Sequence, residues 1–202
     1  MLTRWVPSPL RAMCLVTGQW LFGTGEAMIV AAQLGNSPWT VFAQGTAMRA
    51  GLSIGLMTNL IGALVLLLWV PLRQRPGLGT VANVLLVGTA LDVTAHWLPA
   101  PSGLPERIAL CLGGILVVAL GSGIYLTTGL GPGPRDGLMT GIARVSGWPL
   151  AAARVAVEAT VLIAGWLLGG AAGLGTLLFA VFIGPCVQIA VRLIGRMPDR
   201  DL

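Results

Sequence analysis

Gly77-Leu78-Gly79-Thr80 recurs as Gly173-Leu174-Gly175-Thr176, and this 96-residue offset lays the chain on itself without a gap. Leu34-Gly35 and Pro38 meet Leu130-Gly131 and Pro134; Gly45, Gly51 and Gly88 meet Gly141, Gly147 and Gly184. Upstream, Arg11, Gly18 and Gly25 meet Arg107, Gly114 and Gly121. Most matched residues are Gly or Pro, chosen where backbone geometry or close approach is constrained. The period is far too long for a solenoid. In an apolar chain it points to a duplicated helical bundle, a common way to build a membrane transporter.

The 202 residues are 55% apolar and 9% charged, with a mean hydropathy of +0.87. An ordinary soluble domain cannot hide that much apolar surface, so lipid must solvate part of it. Residues 54–72 and 108–130 contain no Lys, Asp or Glu, and about 20 helical residues cross a bilayer core. The net charge of +5 comes from Arg scattered in ones and twos between apolar spans, a topology signal and not a nucleic-acid face. Cys14, Cys111 and Cys186 lie inside apolar spans without a C-x-x-C and read as packing residues. Arg4 and Arg11 before an apolar stretch imitate a signal peptide. Residues 11–34 align with the internal segment 107–130, so both are expected to be retained spans.

The expected fold is an all-α membrane protein of about six transmembrane helices in one transmembrane domain, 1–202. Repeat 1 occupies 11–98 and repeat 2 occupies 107–195, each with an additional short helix after its first span. The long spans are expected near 12–34, 53–72, 78–98, 108–130, 149–169 and 173–195. Helices satisfy the backbone in lipid, and no strand alternation competes. The short helices are expected at 38–50 and 134–146. Asn36-Ser37-Pro38 looks like an N-cap with Pro at the first helical position, and Gly133-Pro134 repeats that start. Gly51 and Gly147 are the stops. At about 13 residues such helices either lie at an interface or re-enter the membrane.

With the N-terminus inside, Arg4, Arg11, Arg73, Arg75, Arg135, Arg144, Arg154, Arg192, Arg196 and Arg200 fall inside; Arg49 and Arg107 fall outside. That bias places both termini in the cytoplasm of a bacterial inner-membrane protein. Three spans per repeat is odd, so the repeats are expected to be inverted.

Gly131-Pro-Gly-Pro-Arg-Asp-Gly-Leu-Met139, Arg154-x-x-x-Glu158, Gly165-Trp-Leu-Leu-Gly-Gly170 and Gly173-Leu-Gly-Thr176 resemble the YczE/YyaS/YitT family of bacterial membrane proteins. Gly35-Asn-Ser-Pro-Trp39, Gly77-Leu-Gly-Thr-x-x-Asn83 and Asp92 fit the same pattern. The resemblance covers nearly the whole chain. It implies an inner-membrane protein of about six helices with a transport role, and some members are associated with antibiotic production or export. It implies no catalytic residue and no substrate.

Ionisable residues within spans cost about 2.5–3.5 kcal/mol on insertion scales and need a reason. Glu26, flanked by glycine, has Ser122 as its counterpart and therefore no symmetric partner. It is either a buried hydrogen-bonding group or a proton carrier or substrate contact. Asp92 and His96 lie one turn apart, too few ligands for a metal site, and face a cavity mouth or the headgroups. Gln188 takes the place of Asp92 in repeat 2. Arg154 and Glu158, spaced i and i+4, form a local ion pair that could also gate. Arg135 and Asp136 begin a short helix, where a cytoplasmic anion contact competes with a topology and capping role. Asn59 and Asn83 suit interhelical hydrogen bonds, and Gly51/Gly55, Gly137/Gly141 and Gly165/Gly169 permit close helix contact; with 29 glycines such spacing is frequent by chance, so a homodimer is left open and does not follow.

These features read as a secondary transporter or exporter of an unknown small molecule, working by alternating access between inverted repeats and proton-coupled through Glu26. The competing class is an accessory or substrate-binding membrane subunit without transport activity. No nucleotide-binding, zinc-protease or serine-hydrolase motif is present, so neither an enzyme, a cofactor nor a metal is expected.

Overall fold

The computed structural model describes residues 4–99 and 101–195. Arg196 and Arg200, which contribute to the charge bias, lie outside the described residues. Eight helices follow one another: α1 (Pro9–Ala32), α2 (Pro38–Ala50), α3 (Ile54–Trp69), α4 (Leu78–Trp97), α5 (Leu104–Thr127), α6 (Pro134–Ser146), α7 (Leu150–Leu167) and α8 (Leu174–Ile194). The described residues form no strand. The order long, short, long, long occurs twice, at the positions expected from the sequence.

Four helices, α4, α5, α7 and α8, are long and apolar enough to cross a membrane, and α2 with α3 forms a further candidate bent by 110°. This is a multi-pass all-α membrane protein whose outward faces, with Leu64, Leu67, Val155, Ile163, Val181 and Leu193 exposed, contact the lipid bilayer. Of the six expected spans, α1 falls outside these candidates and α3 enters only as part of the bent pair. The 16 residues of α3 reach only about 24 Å. The 24 residues of α1 are long enough, but Gln19, Thr24 and Glu26 lower its apolarity.

At the centre, α1 and α5 run antiparallel with their backbones in contact. A Cβ on Gly18 would meet the Gly121 carbonyl oxygen at 2.8 Å, and one on Gly25 would meet that of Gly114 at 2.6 Å. Each glycine thus faces the sequence counterpart of the other. Arg11, near the start of α1, donates from Nε and Nη2 to the Thr128 carbonyl beyond α5, at 3.0 and 2.6 Å. Its counterpart Arg107 donates to Gln33 at the end of α1.

The Gly-Leu-Gly-Thr motif makes a second contact between the halves. Gly79 N–H donates to the Leu130 carbonyl at 2.9 Å, and Gly175 N–H donates to the Leu34 carbonyl at 2.7 Å. The Leu-Gly pair of each half therefore docks on the Gly-Leu-Gly-Thr of the other. Gly35 and Gly131, at φ +105° and +121°, make these turns where a side chain would be strained. The short helices cross over as well: α2 packs on α7, with Gly165 against Phe42, and α6 on α3, with Gly137 against Trp69. Neither half closes a core alone.

Gly51 and Gly147 end α2 and α6 in the left-handed conformation, as expected. Gly51 and Gly169 have open space around the Cα, whereas Gly55, Gly137, Gly141 and Gly165 are packed, so only part of each Gly-x-x-x-Gly pair makes a contact.

Adjacent glycines offer a test. Gly114→Ala should lose about 1–3 kcal/mol through overpacking against α1. Gly113→Ala meets only the flexible tip of Met28, at 3.3 Å, and should stay within about 1 kcal/mol of the parent. Chemical unfolding of the detergent-solubilised proteins measures both; equal losses would contradict the backbone contact.

Candidate functional site

Beside the α1–α5 contact, both short helices begin at a cavity of about 230 Å³. Of the nine candidate residues, Glu26, Asn83, Arg135, Asp136, Arg154, Glu158 and Gln188 line it, together with Ser122, the counterpart of Glu26. They come from α1, α4, α5, α6, α7 and α8, so the site exists only through the crossed packing of the two halves.

Glu26 is buried in α1, and its carboxylate is enclosed by hydroxyls. Ser37 Oγ lies 3.0 and 2.9 Å from its two oxygens, and Thr40 Oγ1 donates to Oε2 at 2.9 Å. Ser37 does occupy the N-cap position of α2, yet its side chain does not cap that helix; the hydroxyl goes to Glu26 instead. A buried carboxylate without partners is more costly than an uncapped helix end, which explains the diversion. Hydroxyls can donate or accept, so this cage suits both the charged and the protonated acid.

Asp92 lies in a different environment, outside the cavity. It accepts from the Gly55 and Leu56 N–H groups at 2.8 and 3.1 Å and from Ser53 Oγ at 2.5 Å. It thereby caps α3 from the neighbouring α4, a role that neither the cavity-mouth nor the headgroup expectation included. Backbone N–H groups only donate, so this environment is built for the carboxylate. Asn59, also outside, tightens the same seam: it accepts from Gly88 N–H at 2.9 Å and donates to Leu85 O and Thr89 Oγ1 at 3.3 and 3.2 Å. His96 is exposed, edge-on to Trp97.

Arg135 and Asp136 do more than mark topology. Arg135 lies 5.2 Å over the ring of Trp39, and Asp136 accepts from the Tyr125 hydroxyl at 3.0 Å. The first turn of α6 therefore faces the interior of the bundle. Proline and glycine before it leave room for that inward turn. Arg154 and Glu158 pair at 3.0 Å, as their spacing suggested. Asn83 donates to the buried Gln19 at 2.6 Å.

Sequence reasoning missed Gln19, Ser37, Trp39, Thr40 and Tyr125. Ser37 and Thr40 share one face of the α2 start, a signal readable only once Glu26 is known to lie opposite. A second, larger crevice beside Phe42, Leu64 and Val157 offers only Trp39 and Thr160 as polar-bearing residues.

The two seams differ. α3 and α4 pack so closely that Gly55 and Gly88 would each place a Cβ 2.0 Å from the other's carbonyl oxygen. α7 and α8, their sequence counterparts, stand apart, and Gly184, the counterpart of Gly88, has nothing within 4 Å. Val155, Pro185 and Gln188 replace Asn59, Thr89 and Asp92, removing the groups that bind α3 to α4.

Residues 9–192 match the family of unknown function DUF6198. The chain belongs to this family. It is 43% identical over 178 residues to an uncharacterized protein of Haemophilus influenzae, covering 88% of this chain and 82% of that protein. The Bacillus subtilis membrane protein YczE is 36% identical over 159 residues, covering 78% and 74% respectively. YyaS from the same organism is 25% identical over 180 residues, covering 87% and 90%. These relatives bear out the YczE and YyaS resemblance. No solved structure matches the chain.

Two carboxylates in unlike environments should respond differently to substitution. Asp92→Ala should destabilise the protein by about 1–3 kcal/mol through loss of an N-cap and exposure of unpaired N–H groups. Glu26→Gln keeps an acceptor for both hydroxyls and should change the unfolding free energy by less than about 1 kcal/mol. Denaturant titration in micelles compares them.

Proposed function

We propose that this protein is a secondary transporter of a small molecule across the bacterial inner membrane, working by alternating access between two inverted repeats. The carrying observation is a cavity to which both halves contribute charged side chains, beside one tightly closed helix seam and one parted seam. The antiparallel contact of α1 with α5, each glycine against the other's counterpart, supports inversion of 11–98 relative to 107–195. In this reading six helices span, and α2 and α6 re-enter, with buried starts and exposed ends.

The Arg bias orients both termini to the cytoplasm. The α3–α4 seam is then the outer gate, held shut by Asp92 and Asn59, and the α7–α8 gap opens inward. Transport exchanges these states as one repeat rocks against the other. Glu26, in a cage that accepts either protonation state, carries the coupling proton.

The gate can be tested without knowing the substrate. In a background with Cys14, Cys111 and Cys186 replaced by Ser, Gln188→Cys should react with an impermeant maleimide in inside-out vesicles and be protected in right-side-out ones. Adding Asp92→Ala should raise outside labelling several-fold by loosening the closed seam. Labelling equal from both sides, or indifferent to Asp92→Ala, would argue for a static cavity. Copurification with a stoichiometric partner would then favour an accessory subunit.

A further inference from the structure

We infer that the ligand of this cavity is a small organic anion, and that its negative group pairs with Arg135 beside Trp39. The inference rests on the cavity being the substrate site of the proposed carrier. Each cavity carboxylate already has a partner: Glu26 has Ser37 and Thr40, Asp136 has Tyr125, and Glu158 has Arg154. Arg154 has its charge matched by the same ion pair through Nε. Arg135 has neither a hydrogen bond nor a salt bridge among the described residues; its contact is with the face of Trp39. The indole Nε1 of Trp39, a residue only 6% exposed, likewise has no acceptor among the described residues.

The groups without a hydrogen-bond partner are therefore donors, and one is a cation that interacts electrostatically with Glu26 and Asp136 but forms no ion pair with either. A ligand that completes them supplies acceptor oxygens and negative charge. A carboxylate, sulfonate or phosphate group matches the guanidinium fork in two parallel hydrogen bonds. Helix geometry points the same way. α2 and α6, of 13 residues each, both begin at this cavity, with Pro38 and Gly133 among its lining, so two positive helix ends converge on it. The volume of about 230 Å³ limits the ligand to a small organic molecule.

Charge also links the anion to the proton. Facing Glu26 across the cavity are Arg135 and Asp136 of α6, Tyr125 of α5, and Arg154 with Glu158 of α7. Asp136 and Glu158 remain held by their partners when the anion arrives, whereas Glu26 is caged by hydroxyls that accommodate its protonation. Anion and proton entering together leave the cavity charge unchanged.

Three aromatic probes of similar size separate the ligand classes: benzenesulfonate, benzenesulfonamide and trimethylphenylammonium. The sulfonate keeps its charge across the working pH range, so any pH dependence belongs to the protein. Thermal unfolding of the full-length protein in detergent should show stabilisation by benzenesulfonate alone. Its affinity should rise on the order of tenfold as Glu26 takes its proton with falling pH. Glu26→Gln should bind tightly and without that pH dependence, while Asp136→Asn and Glu158→Gln keep it. Arg135→Lys should weaken binding and Arg135→Gln abolish it, with circular dichroism confirming that each variant is folded. Preference for the ammonium or sulfonamide overturns the anion class, as does an equal response to all three probes or none. Unchanged sulfonate binding by folded Arg135→Gln overturns the assignment to Arg135. Sulfonate bound through Arg135 but not moved in proteoliposomes leaves the anion site standing and refutes the carrier. Uptake of the ammonium instead keeps the carrier and refutes the anion.

Discussion

The backbone contact between α1 and α5 is the constraint from which the rest of the molecule follows. Two helices can approach this closely only where both surfaces lack side chains, so Gly18, Gly25, Gly114 and Gly121 are positioned as a set. Arg11 and Arg107 then fix the register by reaching from the start of one helix to the end of the other. With that axis set, the Leu-Gly turn after each central helix arrives at the Gly-Leu-Gly-Thr start of the opposite half. The short helices follow, each crossing to pack on the other half. Association between the halves is therefore built into the core, and the cavity is bounded from both sides.

On this nearly symmetric frame, the chemistry resides in the differences. One seam is sealed by a carboxylate capping a neighbouring helix and by a carboxamide spanning two helices. The corresponding positions across the molecule carry Gln188 and Val155, and that seam is parted. Glu26 and Asp92 illustrate how environment divides one functional group into two roles. The first sits among hydroxyls that can reverse their hydrogen bonds, the second among backbone N–H groups that cannot. The first setting accommodates either protonation state of a carboxyl group, and the second is a structural cap.

The helix boundaries were legible in the sequence because proline, glycine and apolar run length act locally. Pro38 and Pro134 start the short helices, Gly51 and Gly147 stop them, and the 96-residue echo locates the rest. The pairing of Arg154 with Glu158 was legible for the same reason, since four residues on a helix fix a common face. Asp92 could not be placed from sequence. A carboxylate near a helix end looks the same whether it faces a cavity or caps a helix 36 residues upstream. The inward turn of Arg135 was equally hidden, because a basic residue in a loop also satisfies the charge bias of topology.

The sequence by itself determined the membrane class, the duplicated order of helices and the residues able to carry charge into them. These follow from composition, backbone stereochemistry and spacing along one helix, all properties of neighbouring residues. Only the tertiary structure decided which polar groups meet: Ser37 and Thr40 with Glu26, Tyr125 with Asp136, and Trp39 with Arg135. Those meetings depend on how closely helices distant in the chain can approach. That distance is set jointly by glycines in both halves, and no single stretch of sequence contains it.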